Sequence, residues 1–123
     1  MKSLMNTLIA QFPEAIASIP FGTTSKGQQI PGYLVALYQN ATNIDNIIKR
    51  PAVLVDGLHN GREMSTVAMC VYTAMHLLSD YAQGNQDTIS LLSTSAIFII
   101  PAINYDSFAA ISNQYNLNGT LNY

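Results

Sequence analysis

The chain has 123 residues, of which 49% are hydrophobic and only 10% charged, with a formal net charge of −2. So apolar a chain is not intrinsically disordered, and with Lys49 and Arg50 as its one adjacent basic pair it lacks the basic face that nucleic-acid binding needs. The length suits one domain or part of one, and a charge content far below the typical ~25% predicts elements covered on several sides, by this chain or by parts it does not contain.

From the amino end, Leu4, Leu8 and Ile9 recur at helical spacing, which predicts a helix over residues 3–11 ending before Pro13. The same stretch has a lysine, an apolar run and small residues at Ala15 and Ala17. Asn6, Thr7, Gln11, Pro13 and Glu14 interrupt it, so a signal peptide is not expected. "AIASIPF" (15–21) and "IPGYLVALYQN" (30–40) predict two strands of a hairpin, joined through turn residues in which Gly27 can take a positive φ. A polar loop, "NATNIDN", follows.

"PAVLVDGL" (51–58) and "AIFIIPAIN" (96–104) are continuous apolar runs, the pattern of strands buried on both faces. Between them Val67, Val71, Ala74, Met75, Leu78 and Tyr81 keep a 3.6-residue period, which predicts a core-facing helix that stops near Gly84. Strand, helix, strand at this spacing predicts a βαβ unit with parallel strands. The mainly apolar stretch 67–78 contains Thr73 and His76 and is too short to span a bilayer, which takes about 20 residues. Residues 107–123, rich in Asn, Ser and Tyr, read as irregular. A lone cysteine, Cys70, excludes an internal disulfide.

One stretch carries chemistry. "DGLHNGREMST" (56–66) follows the first parallel strand, where ligands bind in an open α/β sheet. His59, Asn60, Arg62 and Glu63 crowd into five residues there. Imidazole and carboxylate are both zinc ligands, so His59 and Glu63 can supply two, with a third from elsewhere. His76 lies about 20 Å along the helix at 1.5 Å per residue and cannot join them. Cys70 reads as a small core residue, and His76 as structural. Asp56 and Asp106 stay possible, although no spacing selects them. The plainer alternative is a polar strand-to-helix turn in which Glu63 complements the helix dipole.

In its motifs the sequence resembles the zinc carboxypeptidases of the carboxypeptidase A/B type. Their strand-end motif is His-x-x-Glu, often H-A-R-E and in several members H-H-A-R-E; here the stretch is "GLHNGREMST", and Arg62 and Glu63 match its R-E. "FGTTSKGQQIPGYLV" is similar to the family's Gly-x-Ser-x-x-Gly-Arg-x-Ile hairpin, with Gln28 in place of arginine. "LIAQFPEAIASI" is similar to the segment before it. "IIPAINYDSF" resembles the strand that usually ends Asn-Pro-Asp-Gly, with Tyr105 for the proline and Ser107 for the glycine. The pieces agree in order and spacing over nearly the whole chain.

The resemblance implies a mixed, mostly parallel sheet with flanking helices, incomplete in this chain, so that residues 1–123 form the N-terminal portion of a single catalytic domain. It implies a metallocarboxypeptidase with one zinc ion, acting on a peptide or protein C-terminus and extracellular or lysosomal, with Glu63 as a ligand and Arg62 against the substrate. Asn60 occupies the place of the family's zinc-binding histidine, and an amide is not among zinc's usual ligands. Motif alignment therefore favours position 60 as the ligand and chemistry favours His59, which Gly61 could let the turn bring into place. The family's third ligand, carboxylate-gripping residues and general-base glutamate lie later in its members, so no catalytic residue is assigned within this chain, which is expected to be inactive alone. Two further alternatives stand beside this one: a relative that lost its ligand at Asn60 and binds peptides or partners, and a deacylase with the same His-x-x-Glu logic. A last possibility is an α/β fragment without a site.

Overall fold

The computed structural model describes residues 1–37 and 44–118. Helix α1 (Lys2–Gln11) leads into strand β1 (Ile16–Thr23) and strand β2 (Gln29–Val35), followed by a short helix α2 (Ile44–Ile47). Then come strand β3 (Ala52–Asp56), the long helix α3 (Met64–Ala82), helix α4 (Gln86–Thr94), strand β4 (Ala96–Ile100) and helix α5 (Tyr105–Asn118). The four strands form one mixed sheet in the order β1-β2-β4-β3. β1 and β4 both pair antiparallel with β2, and parallel pairing is confined to β3 and β4, with Asp56 opposite Ile100.

The hairpin forms where the turn residues place it. Thr24 and Gln28 close the turn through the Thr24 N–H to the Gln28 carbonyl (2.8 Å), and Gly27 takes φ +79°. Residues 38–40 of the expected second strand lie outside the described residues.

Alternation along β2 and β4 sends Tyr33, Val35, Ile97 and Ile99 to one face of the sheet. There they meet Met5 and Leu8 of α1, Cys70, Val71, Ala74 and Leu78 of α3 and Leu92 of α4. Leu78, Leu92 and Ile99 are wholly buried, and burying a side chain of that size is worth about 1.5–3 kcal/mol. Leu34, Ala36, Ile47 and Ala96 form a smaller cluster with Ile19 and Phe98. Of the period read along α3, Val71, Ala74 and Leu78 face the main core with Tyr81 partly buried against it, Val67 joins Leu58 and Ala102 instead, and Met75 is exposed; the helix stops where Gly84 takes φ +75°.

Three expectations need correction. β3 is not buried on both faces: it is an edge strand, with Val53 and Leu54 54% and 55% exposed. Its apolar run marks a strand suited to cover that its neighbours here do not provide. Secondly, helices lie where none was foreseen: residues 44–46 of the expected polar loop begin α2, its residues 40–43 lying outside the described residues, and the second such helix is α4. The Asn85 side chain caps it, accepting from the N–H groups of Asp87 and Thr88. Thirdly, the carboxyl-terminal stretch is helical as far as Asn118 rather than irregular. Asn104 starts that helix, its carbonyl accepting from the Phe108 N–H and its side-chain oxygen from the Ser107 N–H. Such capping works without apolar periodicity.

Candidate metal and substrate site

The site loop leaves β3 through Gly57 and Leu58. A Cβ at Gly57 would come within 2.9 Å of the Thr66 carbonyl oxygen, so glycine is what allows the first turn of α3 so near the strand end. Leu58 takes φ +57°, a left-handed conformation that costs a side-chain-bearing residue about 1–3 kcal/mol. Its side chain is 1% exposed, among Val67, Ala102 and Phe108. That burial is worth about 1.5–3 kcal/mol, enough to offset the strain.

Hydrogen bonds then fix the loop from three sides. The Thr66 hydroxyl accepts from the Leu58 N–H (2.8 Å) and donates to the Glu63 carbonyl (2.6 Å). The Ile103 and Asn104 N–H groups donate to the carbonyls of Gly57 and Leu58, each at 3.0 Å. The Asn104 side-chain amide donates to the His59 carbonyl (2.9 Å). Gly61 lies so close to α5 that a Cβ there would come within 2.5 Å of the Phe108 nitrogen.

Within this frame the three proposed site residues are all exposed. His59 turns back over the strand end, its Nε2 3.1 Å from Asp56 Oδ2. Asn60 closes the turn, its side-chain oxygen accepting from the Arg62 N–H (3.2 Å) and its carbonyl from the Glu63 N–H (3.0 Å). Glu63 occupies the N-cap position of α3, yet its side chain accepts no capping hydrogen bond. Of the plainer turn, then, the backbone role is present and the carboxylate's capping role is not. Arg62 projects from the same turn.

The remaining candidates divide clearly. His76 lies on α3, 3.5 Å from Asp80 and stacked on Tyr72, with ring centroids 5.7 Å apart. Cys70 is buried beside Gly57. Burial first, and the charge of Asp56 second, push its thiol above the ordinary range, which favours the neutral form over the thiolate that metals bind. Asp106 holds the hairpin turn instead: its carboxylate accepts from the Thr24 hydroxyl (2.9 Å), the Ser25 hydroxyl (3.3 Å) and the Lys26 N–H (3.2 Å). Sequence reasoning missed Thr66, Asn104 and the partnership of Asp56 with His59.

Comparison with known proteins shows the family of the chain. The family model described as zinc carboxypeptidase matches residues 1–120. The chain belongs to the zinc carboxypeptidase family. Carboxypeptidase A1 of Bos taurus is 30% identical over 114 residues, covering 92% of this chain and 25% of the relative. An inactive metallocarboxypeptidase (ECM14) of Arthroderma gypseum is 27% identical over 105 residues, covering 85% of this chain and 17% of the relative. The crystal structure of thrombin activatable fibrinolysis inhibitor shares the fold at a TM-score of 0.69 and 16% identity, covering 89% of this chain and 25% of that one. The chain thus spans about a quarter or less of the length of these proteins. The mixed α/β architecture is that of a zinc carboxypeptidase domain over this part.

Family membership implies zinc. The imidazole of His59 and the carboxylate of Glu63 belong to zinc's usual donors and stand on one short loop, which fits two of its ligands. Among the described residues no group of three or more His, Cys, Asp or Glu side chains could hold a metal, so a third ligand is not available in this part. Nor is any helix among them long and apolar enough to cross a membrane.

Proposed function

We propose that the protein is a metallocarboxypeptidase that hydrolyses the C-terminal peptide bond of peptides or proteins, and that residues 1–123 are the N-terminal portion of its catalytic domain. The observation that carries this is the exposed His59–Glu63 pair on a rigid loop beyond the end of β3, in a chain of this family. His59 and Glu63 would be two zinc ligands. A bound zinc ion would supply Lewis-acid activation of the scissile carbonyl and of water. Arg62, next to Glu63, presents a guanidinium to the substrate. Its planar donors suit a peptide carbonyl or carboxylate. Residues 1–123 alone do not complete this machinery and are inactive by themselves.

The test uses the full-length protein. It should bind one zinc ion per chain and release the last residue from peptides with a free C-terminus but not from amidated ones, and a chelator should abolish release. Protein incubated with excess zinc that neither retains the metal nor cleaves would overturn the proposal.

A second reading rests on Asn60. Read against the family motif, its amide would stand in the place of a ligand, and its oxygen is engaged with the Arg62 N–H inside the turn. A metal-free, peptide-binding relative would look like this. Full zinc occupancy in the unaltered protein would end that reading; occupancy only in Asn60→His would establish it.

A further inference from the structure

We propose that the cavity between α1, the base of the hairpin and the start of α5 is a binding site for a small organic carboxylate. The proposal does not depend on the metal-binding reading.

The cavity has a volume of about 270 Å³, and its walls include Lys2, Gln28, Gln29, Pro31, Ala102 and Tyr105. That is just below the roughly 300–1,000 Å³ of small-molecule pockets, so the occupant is small. No residue of the loop 59–63 lines it. Gln28 and Tyr105 are two of the positions at which this chain departs from the family motifs, with glutamine for arginine and tyrosine for proline. Both line this one cavity.

Its chemistry is mixed. Ala102, 3% exposed, and the half-buried Pro31 give it an apolar side. Lys2, Gln28, Gln29 and Tyr105 are exposed and bring polar groups. The lysine and the amide nitrogens donate, and the phenol donates or accepts. Among the described residues the side-chain amides of Gln28 and Gln29 and the Tyr105 hydroxyl hold no hydrogen bond to protein. Lys2 is the only charged side chain on the described lining. An ionised carboxylate only accepts hydrogen bonds, and those from an ammonium are about twice as strong as neutral ones. One cation, several neutral donors and an apolar side together select a compact carboxylate with an apolar body. A cationic ligand would meet the ammonium with no carboxylate to offset it. Asp106, the acidic neighbour of Tyr105, is turned to the hairpin, where it accepts from the Thr24 and Ser25 hydroxyls and the Lys26 N–H.

Those same bonds hold the cavity in shape. Gln28 is fixed at the turn, where its N–H donates to the Thr24 hydroxyl (3.0 Å) and its carbonyl accepts from the Thr24 N–H. The Thr24 hydroxyl in turn donates to Asp106, so the wall that carries Gln28 and Gln29 is tied to the helix that carries Tyr105. Ala102 packs with Leu58 and Val67, and Met5 and Leu8 seat α1 in the main core. Walls held in this way lose little freedom when a ligand enters, which leaves more of the contact energy for affinity.

The experiment titrates the full-length protein with sodium benzoate, and with benzamide as a neutral compound of the same shape, and follows backbone and methyl signals by NMR. A chelator is present throughout, so that no metal competes for the carboxylate. The expected result is saturable shifts at Gln28, Gln29, Ala102 and Tyr105 with a dissociation constant of about 1 mM for so small a ligand, and benzamide about ten-fold weaker. Lys2→Gln, at an exposed position, should keep the melting temperature, weaken benzoate about ten-fold and leave benzamide unchanged. Lys2→Arg should restore benzoate binding. Benzamide binding as tightly as benzoate, benzoate affinity unaltered in Lys2→Gln, shifts confined to residues outside the cavity, or no saturable shift at all would overturn the proposal. None of these outcomes bears on zinc uptake, which is measured separately, so this inference and the metal-binding reading stand or fall apart.

Discussion

Each of the two histidines has an aspartate beside it, at 3.1 Å for His59 and Asp56 and 3.5 Å for His76 and Asp80. The frames around the two pairs differ. His76 and Asp80 are one turn apart on the surface of a regular helix, where such pairs arise from spacing alone and contribute about 0.2–0.5 kcal/mol. His59 and Asp56 meet only because the chain reverses at Leu58, against the strain of φ +57° and under hydrogen bonds from Thr66, Ile103 and Asn104. The first pair therefore depends on the tertiary frame of the loop, and the second only on helical spacing.

The comparison is broken most directly at the metal. We expect His59→Ala or Glu63→Ala in the full-length protein to lose stoichiometric zinc in elemental analysis, and His76→Ala to keep it; loss in all three would erase the distinction. Next in size is the frame. Gly61→Ala drives a Cβ into the α5 backbone and should destabilise by about 1–3 kcal/mol in chemical denaturation, whereas Gly22→Ala meets nothing within 4 Å and should not show that overpacking loss. Thr66→Val leaves the buried Leu58 N–H without its acceptor and should lose about 1–2 kcal/mol. Thr73→Val removes only a hydroxyl bonded to the Met69 carbonyl on the exposed face of α3, and should stay within about 0.5 kcal/mol.

How much of this could be read beforehand depended on the kind of signal. The core face of α3 and the hairpin turn follow local periods and turn residues, and both formed where the sequence placed them. The edge position of β3 did not follow, because an apolar run reports what a strand can bury and not who stands beside it. α4 and α5 begin at single side-chain caps, Asn85 and Asn104; α5 has little periodicity to announce it, whereas α4 is short and follows α3 after only a three-residue break. At the site, residue types near the strand end were legible as potential ligands. That Asp56 faces His59, while Asp106 faces the hairpin 80 residues away in sequence, depends on tertiary contacts.

A smaller effect concerns pH. The Cys70 thiol titrates above its ordinary range when folded, so the folded state favours its protonated form. Its contribution to stability is complete below the unfolded thiol value of about 8.5 and is lost as pH rises through the folded value. Denaturation midpoints should therefore fall on the alkaline side, and Cys70→Ala should lessen that fall. Smallest of all, Asp80→Ala should alter stability by no more than about 0.5 kcal/mol, as an exposed pair predicts.

The most direct measurement is zinc content per chain in the full-length protein, comparing the unaltered form with His59→Ala, Asn60→Ala and Asn60→His. One zinc in the unaltered protein and in Asn60→Ala, with loss in His59→Ala, is the predicted result: the ligand has moved by one residue. A zinc-free unaltered protein that gains the ion only in Asn60→His would contradict it.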